Sequence, residues 1–143
     1  MLRRLVLTAT ASVAALSAAP VAAHADTAAD TGARAGDRLT VTVMDAGEGQ
    51  DGTFDLECRP TGGSHPDADG ACATLDQVPW GKDPFAPVAP DAMCTMQYGG
   101  PATAHITGTW HGRHVDASFK RTDGCEISRW DSLVPVLPTT AGA

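Results

Sequence analysis

Apolar and polar positions alternate in four stretches of the chain, and each alternation predicts a strand. Leu39, Val41 and Val43 alternate with Thr40 and Thr42, which puts the three apolar side chains on one face. A glycine-rich acidic turn, Asp45–Gly52, leads into Phe54, Leu56 and Cys58 alternating with Asp55 and Glu57, so the two stretches predict a hairpin whose second strand faces the core with Phe54, Leu56 and Cys58. Further on, Ala104, Ile106, Gly108 and Trp110 alternate with His105, Thr107 and Thr109. After a tight His111-Gly112 turn, Val115, Ala117 and Phe119 alternate with His114, Asp116 and Ser118. Leu133–Leu137 is apolar but contains Pro135, and this predicts a strand confined to a sheet edge. One helix is expected over about Ala71–Val78, with Asp69 as its N-cap, Cys72 and Leu75 on one face and Pro79 as its stop. Arg59–Pro66 reads as loop, and Pro79, Pro84, Pro87 and Pro90 exclude a regular element from Trp80–Pro90. The expected class is α+β: a four- to five-stranded antiparallel sheet with one or two short helices.

The ends of the chain change how the middle is read. Arg3 and Arg4, the apolar run Leu5–Ala19 and the A-x-A pattern Ala23-His24-Ala25 predict a secretory signal peptide over 1–25. The run has about 15 residues, fewer than the roughly 20 of a membrane-spanning helix. Residues 26–38 are small and polar and read as a flexible N-terminal arm, 39–137 as the folded domain and 138–143 as a C-terminal tail. Of ten Lys and Arg residues, two fall within 1–25, whereas all 17 acidic residues lie at or beyond Asp26. The mature chain therefore carries 8 − 17 = −9 with His neutral. Such a surface repels phosphate backbones and anionic lipid, so neither nucleic acid nor membrane is expected as a partner. Four cysteines, Cys58, Cys72, Cys94 and Cys125, are an even number in an exported chain and predict two disulfides, with three connectivities open. No two are spaced as a Cys-x-x-Cys zinc knuckle.

The chemistry of an enzyme is hard to find. Ser64, His65 and Asp67 supply triad atoms, but they crowd one loop, and no G-x-S-x-G elbow exists. His111 and His114 flank a turn without a third ligand. Asp45, Glu48, Asp51 and Asp55 lack the alternate-position oxygens of a calcium loop, because Gly47 and Gly49 stand there. No enzyme activity, metal or cofactor is expected. The segment Ala92-Met93-Cys94-Thr95-Met96-Gln97-Tyr98-Gly99-Gly100-Pro101 is of another kind. Met96 stands between two polar residues just before a Gly-Gly-Pro turn, a poor setting for the core-filling role methionine usually has.

Four stretches give the chain a resemblance to a known family. They are Gly63-Ser64-His65-Pro66 with Gly70-Ala71-Cys72, then Met93-Cys94-Thr95-Met96-Gln97-Tyr98, then Gly108-Thr109-Trp110-His111-Gly112-Arg113, and last Cys125-Glu126. In order and spacing, from about Leu39 to Val136, the chain resembles the subtilisin-inhibitor-like proteins secreted by actinobacteria. The resemblance implies a secreted, homodimeric, standard-mechanism inhibitor of subtilisin-like or chymotrypsin-like serine proteases. Met96–Gln97 would then be the reactive-site bond and Met93, Cys94, Thr95 and Tyr98 the rest of the protease-binding loop. It also implies the disulfides Cys58–Cys72 and Cys94–Cys125. The physics of the role is consistent with these residues. Met96 is long and apolar and suits a large hydrophobic specificity pocket, and Cys94 two residues away would hold the loop in its bound shape and lower the entropy lost on docking. Two departures from the family pattern, Thr95 in place of a proline and Gly99-Gly100-Pro101 in place of Asp-Pro, predict a looser loop. The alternative reading is a non-inhibitory binding protein, or a cross-linking substrate through Gln50, Gln77 or Gln97, on the same scaffold.

Overall fold

A computed structural model describes residues 36–140. The signal-peptide reading of 1–25, most of the arm and the last three residues of the tail lie outside them. The elements run β1 (Asp37–Met44), β2 (Gly52–Cys58), β3 (Gly62–Gly63), α1 (Ala68–Asp76), β4 (Thr103–Trp110), β5 (Arg113–Lys120) and α2 (Gly124–Asp131). The strands form one sheet in the order β3-β2-β1-β4-β5, with every neighbouring pair antiparallel. The α+β class, the five-stranded antiparallel sheet and the two disulfides are as expected from the sequence.

The alternations sort the sheet's two faces. Leu39, Val41, Val43, Leu56, Ile106 and Phe119 are buried on the inner face, under the helices. Outward, Thr40 Oγ1 donates to Asp55 (3.1 Å) and Thr42 bonds Thr53 (3.1 Å) across β1 and β2. Such cross-strand pairs fix register, because a one-residue slip would carry every apolar side chain into water. His111 and Gly112 both have positive φ, 49° and 75°, the requirement of a two-residue hairpin turn between twisted strands. Phe54 is half-buried at the sheet's margin, where its ring meets His65 edge-on at 6.2 Å.

Several boundaries differ from the sequence reading, each for a local reason. β1 begins at Asp37, two residues before the expected start, because the buried Asp37 carboxylate accepts the His111 N–H (2.6 Å) and pairs with Arg59. The first helix starts earlier than expected and is capped by Asp67, whose Oδ1 accepts from the Gly70 N–H at 2.9 Å. Asp69, the expected cap, sits instead in the first turn, where a carboxylate favours the helix dipole. Within Arg59–Pro66, a loop by its sequence, Gly62-Gly63 adds a short edge strand; Gly63 has φ +97° and its backbone crosses so close to Asp55 that no Cβ fits. Leu133–Leu137 is not an edge strand. It coils back after α2, with Leu137 N–H bonded to Leu133 O (3.0 Å), and buries Leu133, Val136 and Leu137. Their spacing of three and four suits a helical turn rather than a strand.

The two disulfides have different neighbourhoods. Cys58–Cys72 joins the end of β2 to α1 inside the core, with Cα atoms 5.7 Å apart. Cys94–Cys125 joins the long loop before β4 to the first turn of α2, with Cα atoms 5.2 Å apart.

Candidate functional site

Between α1 and β4 the chain runs from Gln77 to Ala102 without a helix or strand. Prolines forbid a continuous ladder over its first half, so its shape depends on long-range anchors. Arg129 of α2 supplies those of the first half. Its Nε donates to Ala86 O (2.6 Å) and a terminal nitrogen to Phe85 O (3.1 Å), while another reaches Ser118 O (2.8 Å) on β5. The guanidinium lies 3.9 Å from the Phe119 ring centroid, so one side chain joins loop, helix and sheet.

The second half carries the exposed apolar groups. Of the five large hydrophobic side chains exposed among the described residues, three are Met93, Met96 and Tyr98, and both methionines are fully exposed. Apolar groups clustered in water mark a binding surface more often than chance. The backbone beneath them is nonetheless fixed on either side of Met96–Gln97. On the N-terminal side, Thr95 O accepts the Gly124 N–H (3.0 Å), and Cys94 is bonded to Cys125. Thr95 Oγ1 occupies the space where a side chain on residue 124 would begin, so any larger residue there would have to displace the Thr95 hydroxyl. On the C-terminal side, the Gly99 N–H donates to Arg121 O (2.8 Å) and Gly99 O accepts from Arg121 Nε (3.0 Å). Among the described residues no hydrogen bond reaches Met96, Gln97 or Tyr98.

Gly99 is not the loose position the sequence suggests. It is buried, and a Cβ there would lie 2.8 Å from Ile127 Cγ1 and 3.1 Å from Arg121 Nε. Its role is close approach, and the flexibility it has in isolation is removed by packing. Gly100, with φ +104° and open space around it, then turns the chain toward β4.

Arg121, Gly124, Ile127 and Arg129 were not singled out by the sequence motifs. One signal for Arg121 existed: continuing the inward alternation of Val115, Ala117 and Phe119 by two residues puts an arginine on the core side. Asp123 caps α2, its Oδ1 accepting from the Glu126 N–H at 3.0 Å, and so fixes where the anchoring Gly124 N–H points.

The residues considered for other chemistry have structural partners. Ser64 Oγ accepts from the Asp55 N–H (2.9 Å), while His65 Nδ1 accepts from Asp67 N–H (3.2 Å) and its Nε2 meets Val136 O (3.1 Å). The imidazole therefore has no free nitrogen turned to a nucleophile. Asp51 accepts from the Asp45 (3.0 Å) and Ala46 (2.8 Å) N–H groups and closes the acidic turn. His105 Nε2 lies 2.7 Å from Asp116 Oδ1, and that hydrogen bond, with the nearby imidazoles of His105 and His114, holds the Asp116 carboxyl below its ordinary value. Cys94, Asp123 and Cys125 cluster, but the two sulfurs are spent on each other.

A family model described as "Subtilisin inhibitor-like" matches residues 35–122, well over half of the chain and all of the exposed loop. The chain belongs to the subtilisin inhibitor-like family. That family consists of inhibitors rather than enzymes. The match ends before α2, so Cys125 and its loop-anchoring neighbours lie beyond it. Subtilisin inhibitor-like protein 1 of Streptomyces cacaoi is 36% identical over 83 residues, covering 55% of this chain and 73% of that protein. Subtilisin inhibitor-like protein 3 of Streptomyces coelicolor is 46% identical over 69 residues, 47% of this chain and 60% of the relative. The subtilisin inhibitor of Streptomyces violaceus is 34% identical over 73 residues, covering 50% of this chain and 49% of that protein. The chain thus spans between half and three quarters of the length of these relatives. Among solved structures, Streptomyces caespitosus sermetstatin in complex with Bacillus licheniformis subtilisin aligns at 26% identity with a TM-score of 0.41, over 65% of this chain and 89% of that one.

Proposed function

We propose that this protein is a secreted inhibitor of subtilisin-type serine proteases that offers Met96–Gln97 as a substrate-like bond. The observation that carries the reading is a fully exposed methionine lying between two backbone anchors, Thr95 just before it and Gly99 three residues after it. Met96 enters an apolar specificity pocket, and Met93 and Tyr98 add contacts on either side. The protease serine attacks the Met96 carbonyl carbon, the Met96–Gln97 bond breaks, and the Gln97 amine takes the proton held by the protease's histidine. In a free peptide that amine diffuses away. Here the ends are held, so the amine re-attacks the acyl ester, the peptide bond re-forms and the serine is released unchanged. A pre-shaped loop also loses little freedom on docking, and this favours tight binding from a standard footprint of about 800 Å² per side.

Cleavage after Ala25, secretion and homodimerisation belong to the same reading. Among the described residues no helix is long and apolar enough to cross a membrane. The mass of the mature chain in solution tests the dimer, and its N-terminal sequence from culture medium tests the export signal. For inhibition the test is progressive addition of the mature protein to a known amount of active subtilisin. The expected result is stoichiometric, lasting loss of activity. Digestion with recovery of activity would favour a non-inhibitory binding protein.

A further inference from the structure

The geometry points to Arg121 as the positioning residue that keeps the leaving amine of the reactive bond in place. The inference rests on the inhibitory reading of Met96–Gln97. Arg121 is 1% exposed, an unusual burial for a guanidinium. Its main-chain O and its Nε grip Gly99 from both sides, at 2.8 and 3.0 Å. A terminal nitrogen is bound to Asp131 Oδ1 (2.6 Å) on α2, and the guanidinium lies over Trp130, 5.7 Å from the ring centroid. Trp130 is itself fully buried, with Nε1 donating to Pro138 O (2.9 Å). The grip on Gly99 is thus backed by a rigid chain of contacts running into the core.

The two flanks of the reactive bond are held by different means. On the acyl side, a disulfide and the Gly124 N–H restrain Cys94 and Thr95. On the amine side no covalent link is near, and the hydrogen bonds of Gly99 both end on Arg121. Gly99 follows Gln97 by two residues, so the new amine stays within about 7 Å of a fixed point. A tether that short gives the amine a high effective concentration at the acyl ester. When the Met96–Gln97 bond breaks, the serine ester forms and the amine is protonated. Re-formation reverses each change, with the proton returning to the protease's histidine, so no further reactant is needed.

Arg121→Met tests this, because it keeps the main-chain bond and the apolar packing on Trp130 while deleting the grip on Gly99 O. The carboxylate left behind, Asp131, is half-exposed and takes up water in place of the guanidinium, and the buried terminal nitrogen of Arg121 that has no partner is removed with it. The mature protein is incubated with subtilisin, and the rate of recovery of protease activity and the equilibrium ratio of cleaved to intact inhibitor are followed. With wild type inhibiting durably, Arg121→Met is expected to release activity at least about tenfold faster, with the ratio shifted toward the cleaved form and the melting temperature little changed. Arg121→Lys, which keeps a donor for Gly99 O, is expected to restore most of the retention. Equal retention by Arg121→Met and wild type would overturn the assignment and leave the inhibitory reading standing. Should wild type itself be digested without inhibition, both fail. If Arg121→Met does not fold, Asp131→Asn decides: it removes the carboxylate that holds the guanidinium without touching the loop. Faster release supports the assignment and unchanged release overturns it.

Discussion

The protein's two disulfides are chemically alike and serve different regions. Cys58–Cys72 lies in the core between β2 and α1, where hydrophobic packing already fixes the geometry. Cys94–Cys125 lies half-buried between a loop without ladders and the start of α2. Their sequence separations of 14 and 31 give similar chain-entropy contributions, about 3 and about 3.7 kcal/mol. Stability alone therefore does not distinguish them. Topology does: if the chain is cut at Met96–Gln97, both cysteines of the first bridge stay in the N-terminal piece, and Cys94–Cys125 is the sole covalent link between the two halves. One bridge staples the fold, and the other would hold together the two ends of the proposed reactive bond.

Removing the loop bridge is expected to have the largest effect. Cys94→Ser with Cys125→Ser is expected to turn the inhibitor into a substrate, with protease activity recovering fully and fragments appearing on a gel; durable inhibition by this variant would contradict the tether. Truncating the exposed anchor comes next. Met96→Ala is expected to weaken binding by about 2–4 kcal/mol, roughly 30- to 700-fold in the inhibition constant, while Met96→Lys shifts preference toward trypsin. Both leave the melting temperature unchanged, since the side chain touches solvent only. Removing the core bridge should do the reverse. Cys58→Ser with Cys72→Ser is expected to lower unfolding stability by about 3 kcal/mol, read by urea denaturation, with the inhibition constant intact at temperatures where the variant stays folded.

Gly99→Ala falls between the two cases. A Cβ forced against Ile127 and Arg121 is expected to destabilise by about 1–3 kcal/mol and to speed release of the protease as well. The smallest effect lies on the far face of the sheet. Because the folded Asp116 carboxyl titrates below its ordinary value, its ion contributes stability that is present above about pH 4 and fades as pH falls through the folded value. Asp116→Asn should therefore flatten the acid limb of the stability curve slightly without altering inhibition; an unchanged acid limb would remove the His105–Asp116 pair from the account.

The sheet was legible in the sequence because period-two burial writes itself directly into Leu39–Val43, Phe54–Cys58, Ala104–Trp110 and Val115–Phe119. The hairpin turn was legible from His111-Gly112 for the same local reason. What escaped were features set by distant partners. The cap at Asp67 instead of Asp69 depends on which carboxylate reaches Gly70, and the early start of β1 depends on Arg59 and His111, more than 20 residues away along the chain. The coil of Leu133–Leu137 went unseen because proline suggested an edge strand, whereas the spacing of its buried residues is helical. In the candidate site, Met96 and its neighbours stood out by their setting and by family resemblance. The residues that hold them, Arg121, Gly124 and Arg129, lie 20 to 45 residues downstream of the loop atoms they bind. Gly99 is a related case: a glycine's freedom in isolation says nothing of the packing against Ile127 and Arg121 that removes it.

The most direct test of the central claim is a titration of active-site-calibrated subtilisin with the purified mature protein, followed by N-terminal sequencing of any clipped product. The account predicts one-to-one, lasting inhibition and a single new terminus at Gln97. Full recovery of activity, or a cut elsewhere in the loop, would contradict it.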